Sequence, residues 1–151
     1  MPYLSITTNQ QIPASRQAVV LAALSREVAA MLGKPESYVM VSLQAGVPMF
    51  FAASDAAAAY VECKSIGLPE ARTAEFSSAL CQAIERELEV SPQRVYIDFQ
   101  DVTRHLWGWD GRMWHAETGP GVEGGIRPYD VAVGPDGNIY GVGNYVLPHY
   151  L

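Results

Sequence analysis

Sliding the chain by 57 residues against itself brings Tyr3-Leu4-Ser5-Ile6 onto Tyr60-Val61-Glu62-Cys63, and Pro35 onto Pro92. A repeat of this size limits the fold more than composition does. Each copy must be a supersecondary unit that cannot cover its own apolar face, so the two copies must pack together. The first copy opens with PYLSITT, which alternates apolar and polar residues and reads as a half-buried strand over Pro2–Thr8. Over residues 15–32, Val20, Leu24, Val28 and Met31 recur on one helical face. Gly33 then sits where a helix C-cap belongs and Pro35 prevents continuation. YVMVSL at 38–43 reads as a second strand, followed by a loop and a short apolar stretch at 48–52.

The second copy runs in the same order. YVECKSI at 60–66 is strand-like, and 67–69 turns the chain. Phe76, Leu80, Ile84 and Leu88 form a helical stripe within 70–89, Pro92 stops it, and VYIDF at 95–99 is a strand. Right-handed crossovers make the strands of each half parallel and put both helices on one side. The expected class is therefore α+β, a two-layer α/β sandwich: a pseudo-two-fold pair of β-α-β units on a four-stranded mixed sheet, with two helices on one face. Such a sheet leaves its other face bare, and self-association is the natural remedy.

At 151 residues the chain suits one domain with an appendage, and 17% charged residues marks it as globular rather than disordered. The formal charge of −6, with no basic patch, argues against nucleic acid and anionic membranes as partners. No apolar run approaches the roughly 20 residues of a spanning helix. The N-terminus has neither a basic region nor a long apolar stretch, so a cytoplasmic location is expected. Cys63 and Cys81 are far apart in apolar surroundings and read as buried free thiols. There is no metal-ligand cluster, phosphate loop or Ser/His/Asp arrangement, and thus no expected metal or cofactor.

Pro2 is the chemically informative residue. Removal of Met1 ahead of proline leaves a secondary amine at the start of a core strand. Reference α-amino groups titrate near 8, and desolvation with a nearby cation lowers that value into the range a general base needs. A Met-Pro start with no role is the plainer reading of Pro2 taken alone. Five segments change the balance: MPYLSITTN at the start, GKPESYVMV at 33–41, KSIG at 64–67, SPQRVYIDFQD at 91–101 and GW at 108–109. In this order and spacing the chain resembles the macrophage migration inhibitory factor branch of the tautomerase superfamily, over about residues 1–110.

The resemblance implies a homotrimer with active sites at subunit interfaces, and cofactor-free keto–enol tautomerisation of small aromatic α-keto acids such as phenylpyruvate, or of dopachrome-like compounds. Pro2 matches the catalytic proline and Lys34 the lysine that pairs with the substrate carboxylate; without the resemblance, Lys34 is a solvated charge after a helix C-cap. Ile66 matches a pocket-wall residue with its backbone toward the substrate, and Ser65 its neighbour. Tyr96 matches an aromatic from the adjacent subunit. Trp107 and Trp109 fall on the apolar rim, and Tyr38 matches a further rim aromatic. Two positions depart from the pattern: Asp98 replaces an asparagine at the substrate's aryl end, and Lys64 replaces a histidine at the pocket edge, where its charge would offset Asp98. Ala58 and Val61 occupy the positions of a CxxC motif, so thiol chemistry is not transferred. The alternative to an enzyme is a trimeric signalling protein with a vestigial pocket. A hydrolytic reading has only Arg16 as a supporting arginine.

Residues 111–151 differ in kind, holding nine of the 13 glycines and four of the ten prolines. Segments 129–133 and 139–142, around the turn-rich 134–138, read as a β-hairpin in an extension of the main domain at 1–110. That extension is expected to run along the trimer and partly cover the site mouth. His115 and His149 read as ordinary polar residues.

Overall fold

A computed structural model describes residues 1–114 and the strand segments Val131–Val133, Ile139–Gly141 and Tyr145–Leu147. The expected loop at 134–138, His115, His149 and the covering of the site mouth lie outside the described residues. The backbone divides into two compact units, Met1–Thr103 and Arg104–Leu151.

In the first unit, β1 (Pro2–Thr8), α1 (Ala14–Leu32) and β2 (Met40–Gln44) form one half, and β3 (Ala59–Ser65), α2 (Thr73–Leu88) and β4 (Val95–Asp101) the other. The sheet order is β2-β1-β3-β4, with β1 parallel to β2, β3 parallel to β4, and β1 antiparallel to β3. This is the four-stranded mixed sheet expected from the repeat. β1 and β3 differ by 57 in number at both ends. The antiparallel seam between them is where the two halves join.

Alternation along β1 and β3 sends Leu4, Ile6, Val61 and Cys63 to the inner face, all with no exposure. Val20, Leu24, Val28 and Met31 of α1 and Phe76, Leu80, Ala83, Ile84 and Leu88 of α2 pack with them in one core. The four predicted core residues of each helix are all in it. Cys81 is only half-buried, because it stands beside the α2 stripe rather than on it. No described helix is long and apolar enough to cross a membrane.

Two boundaries differ from the sequence reading. Residues Glu36–Tyr38 form a 3-10 turn, so the strand starts at Met40 and Tyr38 is not part of it. Pro35, with φ fixed near −57°, accepts from the Tyr38 N–H at 3.0 Å, which winds the backbone before it extends. α2 likewise follows a 3-10 turn at Glu70–Arg72 instead of starting at residue 70. The apolar stretch at 48–52 leads into a tight reversal. Phe51 and Ser54 exchange backbone bonds of 2.9 and 3.1 Å around Ala52 and Ala53, both at positive φ. Two side chains hold this loop. Arg94 donates to the carbonyls of Phe51, Ser54, Ala56 and Ala57 at 2.7–3.3 Å. Asn9 donates to the carbonyls of Asp55 and Ala56 and accepts from the Ala58 N–H.

In the second unit, β5 (Gly108–Trp109) and β6 (Arg112–Met113) pair antiparallel around Asp110 and Gly111, both at positive φ as a tight primed turn requires. β7 (Val131–Val133), β8 (Ile139–Gly141) and β9 (Tyr145–Leu147) form an antiparallel three-stranded sheet.

Candidate active site

The site is assembled at the end of the sheet where β1 begins and β3 ends. Antiparallel register sets Pro2 opposite Ser65. α1 delivers Lys34 to the same place through the way it stops. Gly33 adopts φ 61°, ψ 36° and donates to the Ala30 carbonyl at 3.3 Å, while the Lys34 N–H reaches Ala29 at 3.0 Å. That double bond pattern reverses the chain within two residues, and glycine is the residue that takes the left-handed conformation without strain. The Lys34 Nζ then donates to Ser65 Oγ at 2.8 Å and to the Ile66 carbonyl.

Pro2, Lys34, Ser65 and Ile66 are thus brought together in one subunit. Pro2, Ser65 and Ile66 are buried and Lys34 is half-buried. The electrostatics follow from this burial. The α-amino group of Met1 is pushed down from its ordinary 8.0 to about 6, first by desolvation and second by the Lys34 ammonium. Both causes disfavour the protonated amine. Cys63, by contrast, is pushed up to about 11 by burial and holds almost no thiolate at neutral pH.

Sequence reasoning missed the residues that hold the turn after β3. Gly67 lies at φ 67°. The Val102 N–H donates to the Ser65 carbonyl and the Leu68 N–H to Asp101 Oδ1, both at 3.0 Å. The available signal was the aspartate at the close of the VYIDFQD strand, which reads as polar end punctuation until its register opposite Ser65 is known.

Of the remaining expected site residues in the first unit, Lys64 and Tyr38 lie toward the Pro2 end of the sheet and Tyr96 does not. Tyr96 stands in register with Tyr60, and Tyr60 with Thr7, so Tyr96 is at the other end of the sheet from Pro2. Five residues of strand at roughly 3.3 Å each put about 17 Å between the two levels. The Tyr96 ring meets Phe51 edge-on at 4.8 Å between centroids. Asp98 is in register with Glu62 and accepts from Gln100 Nε2 at 2.7 Å. Lys64 forms an ion pair with Glu62 at 3.4 Å. Residues two apart share a sheet face, which puts Glu62 within reach. Tyr38 sits half-buried in the turn before β2. Trp107 and Trp109 belong to the second unit, where the Trp107 carbonyl accepts from the Trp114 N–H at 2.6 Å and Trp109 packs edge-on against Trp114 at 5.9 Å.

Two β-α-β halves joined through β1 and β3, with the chain start beside a lysine from the end of the first helix, define a protein of the tautomerase type. The family model for macrophage migration inhibitory factor (MIF) matches residues 1–114, and the chain belongs to that family. A MIF homolog of Brugia malayi is 35% identical over 114 residues, covering 74% of this chain and 96% of the relative. The mouse MIF is 32% identical over 113 residues, with the same coverage. Among solved structures, the MIF homologue of Prochlorococcus marinus is 43% identical with a TM-score of 0.70, and the match covers 75% of this chain and 99% of that one. The Trichinella spiralis MIF, 28% identical, superposes with a TM-score of 0.68 over 74% of this chain.

Proposed function

We propose that this protein is a cofactor-free keto–enol tautomerase acting on small aromatic α-keto acids of the phenylpyruvate type, with Pro2 as its base once Met1 is removed. The observation that carries the reading is the amine at the chain start, held at about 6 beside Lys34 in a desolvated corner. Loss of Met1 moves the free amine one residue inward, to a ring nitrogen at the Ser65 end of the seam. Burial and the nearby Lys34 ammonium disfavour the protonated form of such a nitrogen, which is the condition a general base needs. It takes a proton from the carbon next to the keto group. The electron pair left behind forms the C=C bond, and the former carbonyl oxygen accepts a proton to give the enol. The reaction is an isomerisation with no net gain or loss of atoms or electrons.

Lys34 pairs with the substrate carboxylate by a charge-assisted bond. Ser65 and Ile66 hold its ammonium in place. Tyr96 and Asp98 complete the site from a neighbouring copy, since within one chain Tyr96 is at the opposite sheet end from Pro2. A homotrimer supplies that neighbour. It also covers the outer sheet face, where Met40, Tyr60 and Tyr96 are exposed.

The test is a phenylpyruvate tautomerisation assay on wild type and Pro2→Gly, with intact mass measured on both. The expected result is a mass lacking Met1 and a rate that falls by at least about a hundredfold in the variant, the usual weight of a general base. Equal rates in the two proteins, or a retained methionine on an active enzyme, defeat the proposal.

A further inference from the structure

We infer that Asp101 is a positioning residue for this site: its carboxylate fixes the turn at 65–68 and so decides where Lys34 can stand. The inference rests on the reading of the site given above. Two acceptors of the Lys34 ammonium, Ser65 Oγ and the Ile66 carbonyl, lie in that turn. The β-ladder fixes Ser65, opposite Pro2 and Asp101, but not residues 66–68, which lie beyond the end of β3. Two bonds from the end of β4 do so instead. The Val102 N–H donates to the Ser65 carbonyl, and Asp101 Oδ1 accepts from the Leu68 N–H, each at 3.0 Å. They bracket Ile66 and Gly67 on both sides.

Gly67, at φ 67° and with open space where a Cβ would stand, gives the bracketed segment a soft hinge. The side chains of Ile66 and Leu68, on either side of that hinge, are both buried. Without the Asp101 acceptor, the hinge is free to turn the Ile66 carbonyl away from Lys34. The work asked of Asp101 is to present an oxygen at one point, so an uncharged amide oxygen in the same place should serve equally well. Its charge plays no part. The charged groups with described interactions around this turn include the chain-start amine, Lys34, Asp101 and the Lys64–Glu62 pair.

Three variants of the full chain separate these roles. Asp101→Asn keeps the oxygen and loses the charge, Asp101→Glu keeps the charge and displaces the oxygen, and Asp101→Ala removes both. Three readouts apply to each: Leu68 amide exchange by NMR, the titration midpoint of the chain-start nitrogen, and kcat and KM with phenylpyruvate. Asp101→Asn should stay within about twofold of wild type on all of them, whereas Asp101→Glu and Asp101→Ala should exchange the Leu68 amide about tenfold faster, the size of one hydrogen bond. In those two, the nitrogen midpoint should rise and KM should increase about fivefold, with kcat changing less. A general loss of stability moves neither the midpoint nor the ratio of KM to kcat.

The inference is overturned if Asp101→Asn fails while Asp101→Glu is normal, or if faster Leu68 exchange leaves midpoint and KM unchanged. Should Asp101→Ala not fold, the contrast between Asn and Glu decides alone. If wild type has no tautomerase activity, the functional proposal falls, yet exchange and titration still judge Asp101.

Discussion

Lys34 lowers the proton affinity of the chain-start amine as a nearby cation, and in the proposed mechanism it also partners a substrate anion. Of the two causes that depress the amine, desolvation is the larger and Lys34 the smaller. Lys34→Ala should therefore raise the acid limb of kcat/KM only part of the way toward that of a free amine, while KM rises roughly tenfold through loss of a charge-assisted bond. A pH–rate profile of wild type and variant checks both. The sign for stability follows from the same shift. The folded state of the Met1-bearing chain binds fewer protons than the unfolded state between about 6 and 8, so stability should rise with pH across that window. Urea midpoints at the two ends of the window measure it, and partial exposure of the amine keeps the effect small. Pro2 could be read as a candidate from the chemistry of a chain-start amine, and Lys34 through the family resemblance. Asp101 could not, because its role exists only opposite Ser65.

Each helix ends on a residue in the left-handed conformation, Gly33 at φ 61° and Glu89 at φ 57°. Glycine takes that conformation freely and glutamate does not, so the two ends respond oppositely to exchange. Gly33→Ala should destabilise the fold by about 1 kcal/mol, and Glu89→Gly should stabilise it by about 0.5–1 kcal/mol. Thermal unfolding reads both. Gly33→Ala should also weaken substrate binding, because Lys34 is aimed by that cap. Arg94 matters at the same scale. It satisfies four carbonyls of the loop at 51–57 and lies over the Phe51 ring at 5.2 Å. Arg94→Ala should cost about 2–3 kcal/mol by leaving these groups unpaired, measured as a lowered unfolding midpoint. The helix spans were legible because apolar spacing and Gly/Pro stops are local. The 3-10 turn before β2 was not, since Tyr38 reads as strand until the backbone bonds are seen.

The molecule as a whole carries a bare sheet face with Met40 65%, Tyr60 42% and Tyr96 64% exposed. A homotrimer that buries this face should sediment at about three times the 16.4 kDa chain mass. Tyr96→Arg should shift the protein toward smaller species and lower activity, with helix and strand content kept by circular dichroism. A monomeric wild type that remains fully active would remove Tyr96 from the site. The sequence by itself determined the two β-α-β halves, the inner faces of the central strands and the stripes of both helices. Those follow from periodicity, breakers and residue chemistry, which act over a few residues. Only the tertiary structure decided that Pro2 faces Ser65, that Lys34 is held by Ser65 and Ile66, that Lys64 pairs with Glu62, and that Asp101 closes the turn. Strand register joins residues dozens of positions apart, and it is fixed by which faces can be buried together.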